Sequence, residues 1–407
     1  SAIKTIEKMS YENTFTLVEK GAFISVLSFF DFLDLNLRKS ALKACLNMSK
    51  PGTSVDFVKK YILPAVPNLT LLTKLSGGSE IEKSICDSAI QCFYYIVSGT
   101  KNYNFSADLN EFCNTITQYG LLDNLFELFE KFIKIEDDKD NKENMNMITS
   151  STAKNNELNV NVDTIKTILK LFDILCTISP SITNFLLSHN TRELIYKALH
   201  RELDKTHSTN SNSNEDSNKL SSTSHSLYLE IFGLLISFFP GKTNNSYNIK
   251  NQPLNRIMSP ENNKHLIYFS DKILTLLIDN ILHIPSSTTT LGLIKLISMY
   301  CSNCSIEYIV KYINDKQLAN SLSKNLDSKD SSYILEVLIL VDIIMQRCPE
   351  HFFISFLREG VVENIRTLKN IQEKLIYVSK DTTLSKIKNA LPLQLTSSAS
   401  GPIEDSD

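Results

Sequence analysis

The chain has 407 residues, and its 42 Lys and Arg residues nearly balance 45 Asp and Glu residues, leaving a formal net charge of −3. This balance creates no field that would attract nucleic acid or an acidic membrane. Only 11 Gly and 11 Pro residues are present, and no stretch alternates as strands do. The composition therefore predicts an all-α protein that is too long for a single core.

Cysteine usage indicates the compartment. The eight cysteines are scattered through apolar helical patterns without a framework of short spacings. This pattern is typical of buried free thiols in a reducing compartment, so we expect a cytoplasmic or nuclear protein. The most apolar stretches, Leu227 to Phe239 and Tyr333 to Met345, are about 13 residues long and carry acidic side chains, so neither predicts a membrane span.

The N-terminal part begins with an incomplete unit. Residues 1–20 predict the last helix of a preceding or partial repeat, which Gly21 ends as a C-cap. No initiator Met and no signal-peptide pattern are present, which favours a piece of a longer chain. Residues 21–50 then predict a helical hairpin whose apolar surface is too large to bury without neighbours.

An internal repeat is the strongest pattern in the sequence. Laying Ser40–Ser49 (SALKACLNMS) over Ser88–Val97 (SAIQCFYYIV) pairs small with small and apolar with apolar residues. The two copies start 48 residues apart, close to the roughly 40 to 47 residues of armadillo and HEAT repeats. The sequence therefore predicts an armadillo/HEAT-like α-solenoid of five or six units, wound as a right-handed superhelix with one concave face.

Repeat helices and polar insertions alternate along the rest of the chain. Armadillo-like repeats are predicted over 21–134 and 265–390, with repeat helices over 163–203 and 225–240. The polar stretches 135–162, 204–224 and 241–264 predict disordered insertions, and 391–407 predict a loose tail. In the last repeats we expect single helices over Leu266–Leu282 and Phe352–Leu368, and a final helix that reaches about Ala390.

Motifs for chemistry are missing from the sequence. It has no phosphate-binding glycine loop, nucleophile elbow or HExxH motif, and its seven histidines never pair at helical spacing. Cys301 and Cys304 form one C-x-x-C without the second ligand pair that zinc requires, so we interpret them as packing residues. The sequence predicts no catalytic residue, no metal site and no cofactor.

Candidate partner contacts lie on the two aligned helices. Asn47 falls where armadillo repeats often carry an asparagine that binds an extended partner, and Tyr95 is its counterpart in the next unit. Lys43 and Gln91 are expected beside them in the same groove. Further rim candidates are Arg38, Lys39, Lys83 and Asp87. For each of these residues the alternative is an ordinary solvated helix face.

The order of two signatures resembles a known family. The run from Gly21 to Lys50, followed by AIQCFYYIV, looks like the armadillo region of the ubiquitin-fusion-degradation (Ufd) class of HECT-type E3 ubiquitin ligases. Ile334 to Leu368 is similar to the segment that closes that region, with a Pro-acidic turn at Pro349, an aromatic helix, and an R-E-G-V step that begins at Arg358. The resemblance covers about residues 20–390.

This resemblance implies a transferase fragment without its own catalytic machinery. None of the eight cysteines lies in the sequence context of the HECT nucleophile. The implied role is recruitment of ubiquitin fusions or ubiquitin chains as acceptors in protein degradation. The implied partners are ubiquitinated substrates, the ligase's own HECT domain, a ubiquitin-conjugating enzyme and the proteasome. A free-standing armadillo/HEAT adaptor or scaffold would show the same periodicity and remains the alternative.

Overall fold

The computed structural model describes residues 2–52, 54–74, 79–101, 107–144, 161–209, 218–239, 263–284, 287–328 and 330–370. Every regular element in these ranges is helical. The α-helices in chain order are α1 (Ala2–Met9), α2 (Thr14–Glu19), α3 (Ala22–Ser28), α4 (Leu35–Ser49), α5 (Val55–Tyr61), α6 (Val66–Leu71), α7 (Glu80–Lys101), α8 (Ala107–Gln118), α9 (Leu121–Asn144), α10 (Val162–Ile178), α11 (Pro180–Ser188), α12 (Thr191–Thr209), α13 (Asn218–Ser237), α14 (Asn263–Tyr268), α15 (Thr275–Asp279), α16 (Ser287–Asn303), α17 (Ile306–Tyr312), α18 (Asp315–Leu326), α19 (Ser331–Arg347), α20 (Pro349–Arg358) and α21 (361–370). Phe30–Phe32 and Leu63–Ala65 form 3₁₀ turns, and Phe269–Leu274 forms a π-helical turn.

Seven of these helices form one continuous row. In order they are α1, α4, α7, α10, α13, α16 and α19, and each packs along its length against the next. Other helices lie between successive members in the chain and connect them, such as α2 and α3 before α4 and α17 and α18 before α19. This arrangement confirms the predicted armadillo/HEAT-like α-solenoid, because each unit contacts mainly its neighbours.

Packing along the row explains the apolar composition of its members. In α10, the residues that face α7 and α13 are fully buried, including Ile168, Leu169 and Phe172. The small residues Ala41 and Ala44 of α4 are also completely buried. A helix that buries two sides must be apolar over most of its circumference, which accounts for the near-continuous apolar runs.

Left-handed backbone residues separate the short helices from the helices that follow them. Gly21, Gly120 and Gly360 have φ values of 79°, 82° and 84°, and Asn190 has a φ of 60°. Glycine and asparagine tolerate this conformation, which reverses the chain direction in a short space. The expected single helix Phe352–Leu368 is therefore wrong: Gly360 divides it into α20 and α21.

The helix over Leu266–Leu282 also differs from the prediction. It consists of α14, a π-helical turn and α15, which ends at Asp279. Within the π-helical turn, the buried Ser270 hydroxyl donates to the Leu266 carbonyl at 2.8 Å and accepts from the Tyr300 hydroxyl at 2.9 Å. These bonds join the irregular turn to α16, the adjacent member of the row.

Helices extend into two stretches that were predicted as disordered insertions. α9 continues to Asn144, while α12 reaches Thr209 and α13 starts at Asn218. Adding residues to an existing helix costs little once its nucleus is formed, so a packed helix continues past its buried part. Residues 145–160, 210–217 and 240–262, together with the expected last helix and tail after residue 370, lie outside the described residues.

A buried histidine links α12 to α14. Arg192 Nη1 lies 2.9 Å from Nδ1 of His265, and the Arg192 guanidinium also lies 4.9 Å from the Tyr268 ring centroid. Burial, then the nearby charges of Arg192 and Lys264, lower the pKa of His265 to about 4. Since an arginine can only donate, this contact requires a neutral imidazole.

Two glycines in the row test the packing. A Cβ at Gly292 would lie 3.2 Å from Phe232 Cδ2 and 3.3 Å from Leu229 Cδ2, whereas a Cβ at Gly233 would meet Asp173 at 3.6 Å. Gly233→Ala should raise the free energy of unfolding by about 0.5 to 1 kcal/mol through helix propensity. The free energy of unfolding of Gly292→Ala should be lower than that of Gly233→Ala by about 1 kcal/mol or more, because Phe232 must move. Equal values in urea denaturation would contradict this account.

Acid should weaken the α12–α14 contact through His265. The unfolded state binds a proton near pH 6.5 and the folded state only near pH 4, so the stabilisation is present above pH 6.5 and is lost as pH falls toward 4. When the pH is lowered from 7 to 5, the free energy of unfolding obtained from denaturation curves should fall less for His265→Gln than for the wild type. His351→Gln on α20 is the control and should keep the wild-type pH dependence.

Candidate partner-binding groove between α4 and α7

A groove of about 190 Å³ lies between α4 and α7 of the row. Its lining residues recur at helical spacing on the facing sides of the two helices. From α4 they are Lys39, Leu42, Lys43 and Leu46, and from α7 they are Ser84, Ile85 and Ser88. The same two helices carry the aligned copies of the sequence repeat, so the groove runs between neighbouring units.

The floor of the groove is apolar and its α4 wall is basic. Leu42 is buried, Ile85 is 8% exposed, and Leu46 is half-buried between them. Lys39 and Lys43 are exposed one helical turn apart on α4. The facing wall offers only hydroxyls, and Ser88 Oγ donates to the Ser84 carbonyl at 2.8 Å. The groove therefore combines apolar surface with positive charge on one side.

Lys43 is partly engaged on the side of α1. Its Nζ lies 3.2 Å from a Glu7 carboxylate oxygen and 5.9 Å from the Tyr11 ring centroid. Contacts with Tyr11 and then Glu7 raise the pKa of Lys43. The ammonium therefore stays charged at neutral pH, and these two contacts hold it on the α1 side of α4. Within the part of the chain that the structure describes, no carboxylate lies within ion-pair distance of Lys39.

Several other steps of the row are bridged by polar contacts. Lys170 of α10 pairs with Glu230 of α13 at 3.2 Å, and Lys295 of α16 pairs with Glu336 of α19 at 3.6 Å. Between α7 and α10, the Thr164 hydroxyl donates to an Asp87 carboxylate oxygen at 2.5 Å. The α4–α7 step instead opens into the groove, with lysines facing serines.

The structure brings together three of the four residues predicted as partner contacts. Lys43 lines the groove, Gln91 is exposed on α7 one turn beyond Ser88, and Tyr95 is half-buried one turn further. The Tyr95 ring centroid lies 5.9 Å from Lys50 Nζ of α4. Their role in binding stays a prediction, but they share one face.

Asn47 lies elsewhere. Its side chain is 7% exposed, and its amide donates to the Ser10 hydroxyl at 3.0 Å. That hydroxyl in turn donates to the Glu7 carbonyl at 2.6 Å. Asn47 thus joins α4 to the segment after α1, and its amide is not available to an extended partner in this structure.

Of the predicted rim residues, Lys39 lines the groove, while Arg38, Lys83 and Asp87 contact other parts of the fold. Arg38 donates to the carbonyls of Leu33 and Asp31 at 3.0 and 2.9 Å, which fixes the loop between α3 and α4. Lys83 pairs with Glu80 at 2.9 Å on α7, and Asp87 faces α10.

Sequence reasoning did not predict the apolar lining residues Leu42, Leu46 and Ile85 as contacts. It also missed Lys50, Ser84 and Ser88. Their signal was the same i, i+4, i+7, i+11 spacing from Lys39 on α4, and from Ser84 on α7, that defines one helix face.

The described residues offer no reactive group. All eight cysteines are buried free thiols. Burial raises the pKa of Cys304 to about 12 and that of Cys301 further, so the C-x-x-C thiols stay protonated at neutral pH. No cluster of three His, Cys, Asp or Glu side chains suited to a metal ion occurs in the described ranges. The same ranges contain no helix that is long and apolar enough to cross a membrane.

Comparison with known proteins gives one distant relative in sequence. The chain is 23% identical over 390 residues to E3 ubiquitin-protein ligase UPL3 of Arabidopsis thaliana, a match that covers 90% of this chain and 19% of that protein. The chain thus spans about a fifth of the length of the curated relative it matches. No family model matches the sequence.

Solved structures show similarity in fold. An engineered protein is similar with a TM-score of 0.55 and 15% identity, over 89% of this chain and 68% of that one. A designed armadillo repeat protein in complex with peptide (KR)4 has a TM-score of 0.48 and 13% identity, over 79% of this chain and 98% of that one. The fold is an armadillo/HEAT-like α-solenoid, and the sequence is distantly similar to an E3 ubiquitin-protein ligase.

Replacement of Asn47 tests its structural role. Asn47→Ala should lower the free energy of unfolding by about 1 to 2 kcal/mol because it removes a buried hydrogen bond to Ser10. Ser10→Ala and the double variant complete a cycle, in which urea denaturation should give a coupling energy of about 1 kcal/mol. Strictly additive losses would show that the two side chains do not interact.

Proposed function

We propose that this chain is the substrate-recruiting solenoid of a HECT-type E3 ubiquitin ligase, and that it performs no ubiquitin transfer itself. The observation that carries the proposal is the extent of the likeness to UPL3, which covers 90% of the chain. A likeness of that extent spans several repeats, in contrast to a match that is limited to one repeat. The HECT type rests on the resemblance of the Gly21–Lys50 and Ile334–Leu368 segments.

The chemistry of the described residues favours a binding role. Thioester transfer of ubiquitin needs an accessible cysteine of low pKa, and the thiols of Cys86, Cys92 and Cys113 are buried with pKa values raised to about 12 by desolvation. The other five cysteines are buried as well. In this proposal the nucleophile belongs to a separate HECT domain.

The contribution of such an arm to catalysis is proximity. A partner held on the solenoid places its acceptor lysine near the thioester and raises the effective concentration of the amine without new chemistry. Ubiquitin fusions and ubiquitin chains on degradation substrates are the acceptors that we propose. A ubiquitin-conjugating enzyme transfers ubiquitin to the cysteine of the HECT domain, and the proteasome degrades the ubiquitinated substrate.

A second candidate function is a free-standing adaptor or scaffold. It is favoured by the fold itself, because a row of stacked helices with one open groove serves any protein-binding solenoid equally well. The two functions differ in what accompanies the solenoid: only the ligase requires a HECT domain in the same protein. Sequencing the reading frame beyond codon 407 distinguishes them, because a ligase must encode that domain downstream.

Binding of ubiquitin chains tests the recruiting role directly. Titration of the 407-residue chain with lysine-linked diubiquitin, followed by isothermal calorimetry, should give a Kd on the order of tens of micromolar. Monoubiquitin is the matched control and should bind about tenfold more weakly, because a two-site contact gains avidity. Absence of any binding heat for diubiquitin, with the chain folded by circular dichroism, would sink the ubiquitin-chain proposal.

A further inference from the structure

We propose that the α4–α7 groove binds an extended segment of a partner protein in which two acidic side chains, two positions apart, flank an apolar one. This inference rests on the proposed role in protein binding and names the chemistry of the partner. It comes from the shape, lining and charge of the groove between two adjacent members of the row.

The spacing of the lysines fits an extended segment. Lys39 and Lys43 are four residues apart on α4, a separation of about 6 Å along the helix axis. Alternate side chains of an extended strand are about 6.7 Å apart and point to the same side. Two carboxylates at positions i and i+2 of a partner can therefore face the two ammonium groups at the same time.

The charge around the groove is complementary to such a partner. On the α4 wall, Lys39 and Lys43 line the groove and Lys50 lies beside Tyr95 at its far end. The nearest carboxylates are already engaged, since Glu7 pairs with Lys43 and Glu80 pairs with Lys83. Among the described residues, no carboxylate lies within ion-pair distance of Lys39, so this positive charge on the α4 wall is not neutralised by a direct pair, although the whole chain is slightly acidic.

In an extended segment the residue between the two acids points away from the α4 lysines and toward the α7 side of the groove, where Ile85 is the apolar lining residue. Leu42, Leu46 and Ile85 present an apolar surface, and a cavity of about 190 Å³ has room for one large aliphatic side chain. Burial of a leucine side chain there removes apolar surface from water and so favours association. Ser84 and Ser88 on the opposite wall lack charge, so a negatively charged segment meets no repulsion from them.

A labelled peptide measures this preference. The probe is a fluorescein-labelled dodecapeptide with the sequence Glu-Leu-Glu-Ser repeated three times, titrated with the full chain and followed by fluorescence anisotropy. Two comparison peptides replace every Glu by Lys or every Leu by Ser. We expect binding of the first peptide to weaken as salt rises, and we expect both comparison peptides to bind about tenfold more weakly or worse.

Charge reversal locates the site. Lys39→Glu with Lys43→Glu should weaken binding of the Glu-Leu peptide by about tenfold or more. The matched control is Lys134→Glu with Lys324→Glu, which changes the net charge equally on exposed positions of α9 and α18 and should alter affinity less than about twofold. Both double variants change exposed side chains, and circular dichroism verifies their folding.

Three results would overturn the inference. They are equal affinity of the two double variants, equal affinity for the Lys-Leu peptide, and no binding of the Glu-Leu peptide at concentrations up to about 1 mM. Titration of the same preparation with diubiquitin distinguishes failure of the groove assignment from failure of the recruiting role. If diubiquitin binds and the peptide does not, only the assignment of the groove fails; if neither binds, the recruiting role fails too.

Discussion

The whole structure depends on one constraint: each inner member of the row, from α4 to α16, must be packed on both sides by its neighbours. α10 contacts α7 on one side and α13 on the other, and α9 and α11 also contact it. Only a narrow strip of each inner row helix then remains exposed to solvent. In α10 this strip carries Asp163, Lys166 and Lys170. Everything that the solenoid can offer a partner along its row lies on such strips.

The side chains on these strips can either pair with the neighbouring row helix or remain open to a partner, and one use excludes the other. At the α10–α13 and α16–α19 steps, a lysine on one helix pairs with a glutamate on the next, so the polar side chains satisfy one another. Exposed ion pairs of this kind add little stability, typically below about 1 kcal/mol. Their main effect is to neutralise the strip. At the α4–α7 step the lysines face serines: Lys43 pairs with Glu7 of α1, whereas no carboxylate of the described residues lies within ion-pair distance of Lys39.

Helical geometry explains which residues the sequence could place. The alignment of α4 with α7 followed from periodicity alone, because buried Ala41 and Ala44 have small or apolar counterparts 48 residues on. On α4, residues 43, 46 and 50 lie within about 40° of Lys39 around the helix axis, whereas residue 47 lies about 80° away. That rotation takes Asn47 out of the strip toward α1. Its burial depends on Ser10, a contact 37 residues distant that local periodicity does not contain.

The left-handed residues that end helices were also only partly predictable from the sequence. Gly360 was included inside one helix because its neighbours continue the apolar spacing, and the break appears only in the backbone conformation. Gly21, by contrast, was recognised as a cap because a change in the pattern accompanies it. A glycine that ends a helix can be recognised from one sequence only where the hydrophobic period changes at the same place.

The same division between core and strip determines what a distant relative can convey. Most residues of a row helix are fixed by packing, because any change in their volume is felt by two neighbours. The 23% identity with UPL3 can therefore be met by core positions alone, while strip positions such as Lys39 and Lys43 are free to differ. The likeness is thus a distant similarity to one E3 ubiquitin-protein ligase. In the proposed binding mode the partner is selected by a few strip residues at the α4–α7 groove, where lysines of one helix face serines of the next.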